Sequence, residues 1–262
     1  MNRCLLLTLT IYQAIVIFAA GFCAGMINSV AGGGTLISFP ALIWIGRDPI
    51  VANATNTLSL WPGSLAGMLG FRRELSGSKQ WIVALIVPSI AGAVAGAVLL
   101  LHTPSSTFAA IVPYLILIAT LLLAVQEPIT RRINSQTGGP QSRRWWIVAI
   151  LFQFAVAVYG GYFGAGIGIL MLAALGLMGL TDIHRMNALK NLFALCINGV
   201  AAIYFAGSGA VRWSDSVLVA AGSVAGGFGG SRLARKLGRK FVRRTIILIG
   251  LGMALSLFLR GR

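Results

Sequence analysis

The chain has 262 residues, of which 57% are hydrophobic and only 10% charged, against roughly a quarter charged in a soluble domain. A water-facing surface cannot be assembled from that stock, so a soluble enzyme is excluded and the composition calls for a lipid solvent. The net charge of +16 is not a nucleic-acid footprint, because the basic residues stand between long apolar runs rather than along one polar face.

A bilayer is crossed by about 20 apolar residues in a helix. The first such span is 8–30. The N-terminal stretch Leu5–Ala20 resembles a signal peptide, but no small-residue cleavage site ends it and apolar sequence continues through Val30, so a retained helix is expected. A glycine-rich break, AGGGT at Ala31–Thr35, leads into 35–46, an apolar piece too short to cross alone. Spans 51–70, 81–101 and 107–126 follow, and the polar linker 127–144 divides the chain near its middle. Beyond it come span 145–163, a second break (GAGIG at Gly164–Gly168), the short piece 169–180, and spans 186–206, 215–231 and 244–259. The reading is an all-α integral membrane protein of about eight transmembrane helices plus two short glycine-broken segments.

Orientation follows from lysine and arginine. Loop 71–80 carries Arg72, Arg73 and Lys79, and the linker carries Arg131, Arg132, Arg143 and Arg144. Loop 232–244 carries seven more basic residues. All three loops should face the cytoplasm, with 102–106 and 207–214 on the other side. Trp81, Trp145, Trp146 and Trp213 stand at span ends, where an aromatic belt belongs.

Setting Ala31 on Ala165 and continuing in register lays the first half on the second without gaps. Gly32 and Gly34 then meet Gly166 and Gly168; Asp48 meets Asp182; Asn53 and Ala54 meet Asn187 and Ala188; Phe71 meets Phe205. If each short piece returns the chain to the side it came from, the halves 1–126 and 145–262 are inverted repeats joined by 127–144. That arrangement also keeps the heptabasic loop inside. Inverted repeats are a transporter signature, with the site near mid-membrane at broken helices.

Two clusters could carry chemistry. At Gly32, Gly33, Gly34 and at Gly164, Gly166, Gly168 the backbone can leave helical geometry, and the helix N-termini that follow offer N–H donors and partial positive charge to an anion. Close packing of small residues is the plainer use of such glycines. Asn53, Thr55 and Asn56 in one half, with Asn187, Lys190 and Asn191 in the other, lie in the first turns of the helices that follow. Spacing by three puts Asn53 with Asn56, and Asn187 with Lys190, on one helix face. Lys190, with no carboxylate near in sequence, is a charge inside a span and so a candidate for function, the alternative being a lysine that snorkels to the interface.

Other chemistries find little footing. Cys4, Cys23 and Cys196 lack metal or redox spacing and read as small hydrophobes. His102 and His184 belong to turns on opposite faces, so neither a metal pair nor a triad is expected. No Walker motif and no GxSxG elbow occurs, and no cofactor is expected.

Two stretches, GFCAGMINSVAGGGTLISFPALIWIGRDPIVANATNTLSLWPGSLAGMLGFRREL and GGYFGAGIGILMLAALGLMGLTDIHRMNALKNLFALCINGVAAIYFAGSGAVRW, cover about two-fifths of the chain. They resemble the TauE/SafE family of bacterial membrane transporters. The resemblance implies movement of sulfur-containing anions, such as sulfite or sulfoacetate, across the bacterial inner membrane. It carries over to Gly32–Gly34, Asn53, Thr55 and Asn56, and to Gly164, Gly166, Gly168, Asn187, Lys190 and Asn191. AGIG stands where the first repeat has GGG, and Lys190 stands opposite Asn56, so the half-sites are chemically unequal. The expected partners are a small anion and the lipid bilayer, with no nucleic acid. A homo-oligomer is compatible with the sequence, which does not set its size. The alternatives are a membrane-embedded enzyme acting on a lipid, which would need acidic or histidine clusters at a membrane face, and a scaffold that transports nothing.

Overall fold

In lipid, a chain satisfies its backbone polar groups by coiling into helices. The computed structural model describes residues 10–28, 33–133, 143–180, 182–230 and 239–260, and among them every regular element is a helix. The first half contains α1 (Ile11–Asn28), α2 (Thr35–Trp44), α3 (Pro49–Gly70), α4 (Lys79–His102) and α5 (Ser105–Ile133), with a 3₁₀ turn at Arg72–Leu75. The second contains α6 (Arg143–Tyr162), α7 (Ile167–Leu177), α8 (Ile183–Gly207), α9 (Trp213–Ala225) with a π turn at Gly226–Gly230, and α10 (Arg239–Arg260).

The acidic turns are helix caps. Asp48 accepts from the Ile50 and Val51 amides at 2.9 and 3.3 Å, ahead of a proline at the first turn of α3. Asp182 accepts from the His184 and Arg185 amides at 2.9 and 3.3 Å and starts α8 in the same way. Three pairs of helices, α3 with α8, α4 with α9 and α5 with α10, begin at one constant offset, the same that sets Ala31 on Ala165.

Packing crosses between the halves. Helix α1 lies on α9, and α4 on α6. Both crossings are backbone on backbone. A Cβ at Gly21 or Gly25 would strike the Val219 or Ser223 carbonyl, and one at Gly92 would stand 2.6 Å from the Phe154 oxygen. Where no hydrophobic effect draws helices together, this close approach supplies the dispersion contact that does. Helices α3 and α8 meet where Trp61 Nε1 donates to the Leu195 carbonyl at 3.1 Å, a bond between equivalent positions of the two halves. Tyr114 of α5 and Phe258 of α10 stack edge to face at 4.9 Å.

Contacts also sort the two ends of the bundle. At one end Gln13 of α1 donates to the Ile45 carbonyl beyond α2, Ser105 donates to Asp48, and Arg47 pairs with Asp215. At the other, Arg185 of α8 donates to Ser78 Oγ at 2.7 Å and to the Gly77 carbonyl, while Trp81 of α4 packs on Trp145 and Trp146 of α6. The pair α1–α2 therefore starts and finishes at the first end, and α6–α7 at the second. As a result α3 and α8 run antiparallel.

Of the eight spans read from sequence, five lie, among the described residues, in helices long and apolar enough to cross a membrane: Ile11–Asn28, Lys79–His102, Ser105–Val125, Trp145–Tyr162 and Ile183–Gly207. Helix α3 has the length, but Asn53, Thr55, Asn56, Thr57 and Ser59 make it more polar. The α-helical part of α9 is 13 residues and continues as the glycine-rich π turn. The apolar part of α10 is Arg244–Leu259. The linker core and much of the 232–244 loop lie outside the described residues.

Candidate functional site

The first break joins α1 to α2. Gly33 has φ +90°, a left-handed conformation that glycine adopts without steric cost. The Gly34 amide donates to Asn28 Oδ1 at 2.8 Å, so a side chain of α1 already holds the first donor of α2. Gly32 lies outside the described residues. The second break uses two left-handed glycines, Gly164 at φ +77° and Gly166 at φ +76°, the latter capping α7. Tyr159 holds it from within α6: its carbonyl accepts from the Phe163 and Gly164 amides, and its hydroxyl donates to the Ala165 carbonyl at 2.7 Å.

Helix α5 brings the breaks together. A Cβ at Gly33 would lie 3.7 Å from Leu123 Cδ2, and one at Gly166 would lie 3.4 Å from Ala119 Cα. Ala119 and Leu123 are one helical turn apart, hence one above the other on a buried helix face. The two interruptions thus line up along one wall in the interior of the bundle.

Asn53 and Asn56 of α3 and Lys190 of α8 reach the elements of the two breaks, whereas Thr55 bonds toward α9 and Asn187 bonds within α8. Asn53, Thr55 and Asn56 are each 1% exposed. Asn53 Nδ2 donates to the Tyr162 carbonyl at 2.9 Å, at the end of α6. Thr55 Oγ1 accepts from the Arg212 amide at 3.0 Å, and Asn56 Oδ1 accepts from Ser38 of α2 at 2.5 Å. In α8, Asn187 donates to the Ile183 carbonyl and accepts from Lys190 Nζ at 3.1 Å. The Lys190 stem lies against Gly168, whose added Cβ would stand 3.4 Å from Lys190 Cδ, so the lysine runs beside the first turn of α7. Asn191 is half-buried on the same helix. The first half thus presents neutral amides and a hydroxyl, and the second an ammonium beside a helix N-terminus.

Several participants were not singled out from sequence. Ser38 was visible as a polar residue in the apolar run TLISFPALIW. The Tyr162 carbonyl is backbone, which no residue type advertises. The largest omission is an ion pair at the first end of the bundle: fully buried Asp215 accepts from Arg47 Nε at 2.6 Å, with Arg212 Nε at 3.5 Å. Arg47 and Asp215 are 168 residues apart and carried no shared motif.

Comparison with known proteins places these features in a wider set. The family model described as sulfite exporter TauE/SafE matches residues 17–257. A "Probable membrane transporter protein" of Haemophilus influenzae is 26% identical over 243 residues, covering 91% of each chain. "Probable membrane transporter protein YfcA" of Escherichia coli K12 is 28% identical over 246 residues, covering 92% of this chain and 88% of that one. "Probable membrane transporter protein YunE" of Bacillus subtilis is 25% identical over 256 residues, covering 90% of this chain and 92% of the other. No solved structure matches.

Proposed function

Because the chain belongs to the sulfite exporter TauE/SafE family, we propose that it is a secondary transporter carrying small anions, of the sulfite or sulfonate type, across the bacterial inner membrane. The observation that carries this reading is Lys190 laid along Gly168 beside the start of α7. A helix N-terminus brings partial positive charge and amide donors, and an ammonium beside it adds a full charge where the dielectric is low. That combination suits a compact oxyanion. Gly164, Gly166, Gly168, Asn187, Lys190 and Asn191 form the anion side of the site. Gly33, Gly34, Asn53, Thr55 and Asn56 form the facing neutral side, to which Gly32 is assigned from the sequence alone.

Transport would use two inverted repeats, α1–α5 and α6–α10. Three observations support that division: the shared offset of the helix starts, the equivalent α1–α9 and α4–α6 crossings, and the antiparallel run of α3 and α8. Alternating access then comes from one repeat rocking on the other around the breaks. The bundle end bearing Arg72, Arg73 and Lys79 faces the cytoplasm by the positive-inside rule. The protein acts as a carrier rather than as an enzyme.

The test is flux in proteoliposomes loaded in turn with sulfite, sulfate, thiosulfate, a sulfonate and a carboxylate. At least one sulfur oxyanion should move saturably, above the rate in protein-free vesicles. Movement of none of the five would overturn the proposal.

A further inference from the structure

Asn53 and Asn187 occupy the same place in helices opened by the same aspartate cap, yet their amide oxygens meet different fates. In α8 the Asn187 oxygen accepts from the Lys190 ammonium at 3.1 Å. In α3 the position equivalent to Lys190 is Asn56, which brings no positive charge and whose own oxygen is taken by Ser38. The Asn53 amide cannot be turned over, because its nitrogen donates to the Tyr162 carbonyl at 2.9 Å and rotation would set two oxygens face to face. Its Oδ1 is buried and has no hydrogen-bond partner among the described residues. A buried acceptor left in that state is costly.

A fully deprotonated oxyanion cannot satisfy it, since it too presents only acceptors. The surroundings select for positive charge instead. Asn53 meets the C-terminal end of α6, where the helix dipole is negative, and the chain has already left helical geometry at Gly164. Among the described residues no group of three His, Cys, Asp or Glu side chains could hold a metal ion. Neutral oxygens alone suit a monovalent cation better than calcium or magnesium, which rely on carboxylates.

We propose that an alkali cation binds at Asn53 Oδ1, beside the Tyr162 carbonyl, taking in the first half the place that the Lys190 ammonium takes in the second. This deepens the transporter reading and rests on it: the cation accompanies the anion, and the two occupants reduce each other's charge.

The experiment measures anion flux in proteoliposomes, and thermal stability of the purified protein, in sodium, potassium or N-methyl-D-glucamine chloride at equal ionic strength. One alkali ion should raise anion flux roughly tenfold over the organic cation, within the usual range of coupling between sites, and the same ion should raise the melting temperature. Asn53→Leu should abolish both responses. Asn56→Lys, which supplies an ammonium at the equivalent position, should make any remaining flux independent of the alkali ion. Should Asn56→Lys fail to fold, the thermal response of Asn53→Leu decides. Equal flux and stability in all three salts, or an undiminished alkali response in Asn53→Leu, overturns the cation site and leaves anion transport standing. Absence of anion flux in every salt overturns the transporter reading itself.

Discussion

At the residue scale, glycine serves two distinct purposes. Gly166 needs its left-handed φ of +76° and sits against Ala119. An L-residue there costs roughly 1–2 kcal/mol in backbone alone. Gly63, in the body of α3, is exposed, and a Cβ added there would meet nothing within 4 Å. Gly166→Ala should therefore lower the melting temperature in detergent, while Gly63→Ala should leave it unchanged or raise it, since alanine favours a helix by about 1 kcal/mol. Equal effects in the two variants would remove the conformational role of Gly166. Both glycines stood in plain view in the sequence. Only the GAGIG break, interrupting an apolar run ahead of an acidic turn, marked one of them as special.

At the element scale, the starts of helices were more legible than their partners. Asp48 and Asp182 stood in the sequence as matched positions just ahead of α3 and α8, and the structure shows that both are caps. The crossing of α1 with α9 was not legible. Its glycines are chemically the same as those that touch nothing, and the Val219 and Ser223 backbone they meet belongs to the opposite half of the chain. The contact makes a sharp distinction testable. Gly25→Leu would drive a side chain into the Ser223 backbone, whereas at the exposed Gly252 of α10 an added Cβ meets nothing within 4 Å. Gly25→Leu should abolish the monodisperse folded protein in size-exclusion chromatography, and Gly252→Leu should elute as the parent does. A well-folded Gly25→Leu would mean that α1 and α9 can separate without loss of the fold. Helix α9 shows the limit of hydropathy reading: 215–231 looked like one span, but the glycines of GGFGG at Gly226–Gly230 turn its last part into a π turn.

At the scale of the whole molecule, the common offset of three pairs of helix starts was readable, because the halves align without gaps. The geometry of the site was only half readable. Sequence identified Asn53, Asn56, Asn187 and Lys190 as equivalent pairs. It could not reveal that Asn53 crosses to the end of α6, or that Lys190 lies on α7, since both depend on how the halves dock. Nor did it foresee the buried Asp215, which ties the α2–α3 turn of one half to α9 of the other. The inverted arrangement has its own test. Reporter fusions placed in 127–144 and in 232–244 should both read cytoplasmic, and opposite readings would refute it.

The proposed anion site sets Lys190 on the anion's path between the two breaks. The decisive measurement is sulfite flux by the parent and by Lys190→Gln, reconstituted at equal density into the same lipid. Lys190→Gln should insert and fold normally but lose roughly tenfold or more of the flux, since a hydrogen bond to a charged group in a shielded site is worth about 1.5–3 kcal/mol. Equal fluxes from the two proteins would contradict the proposed anion site and place Lys190 outside the anion's path.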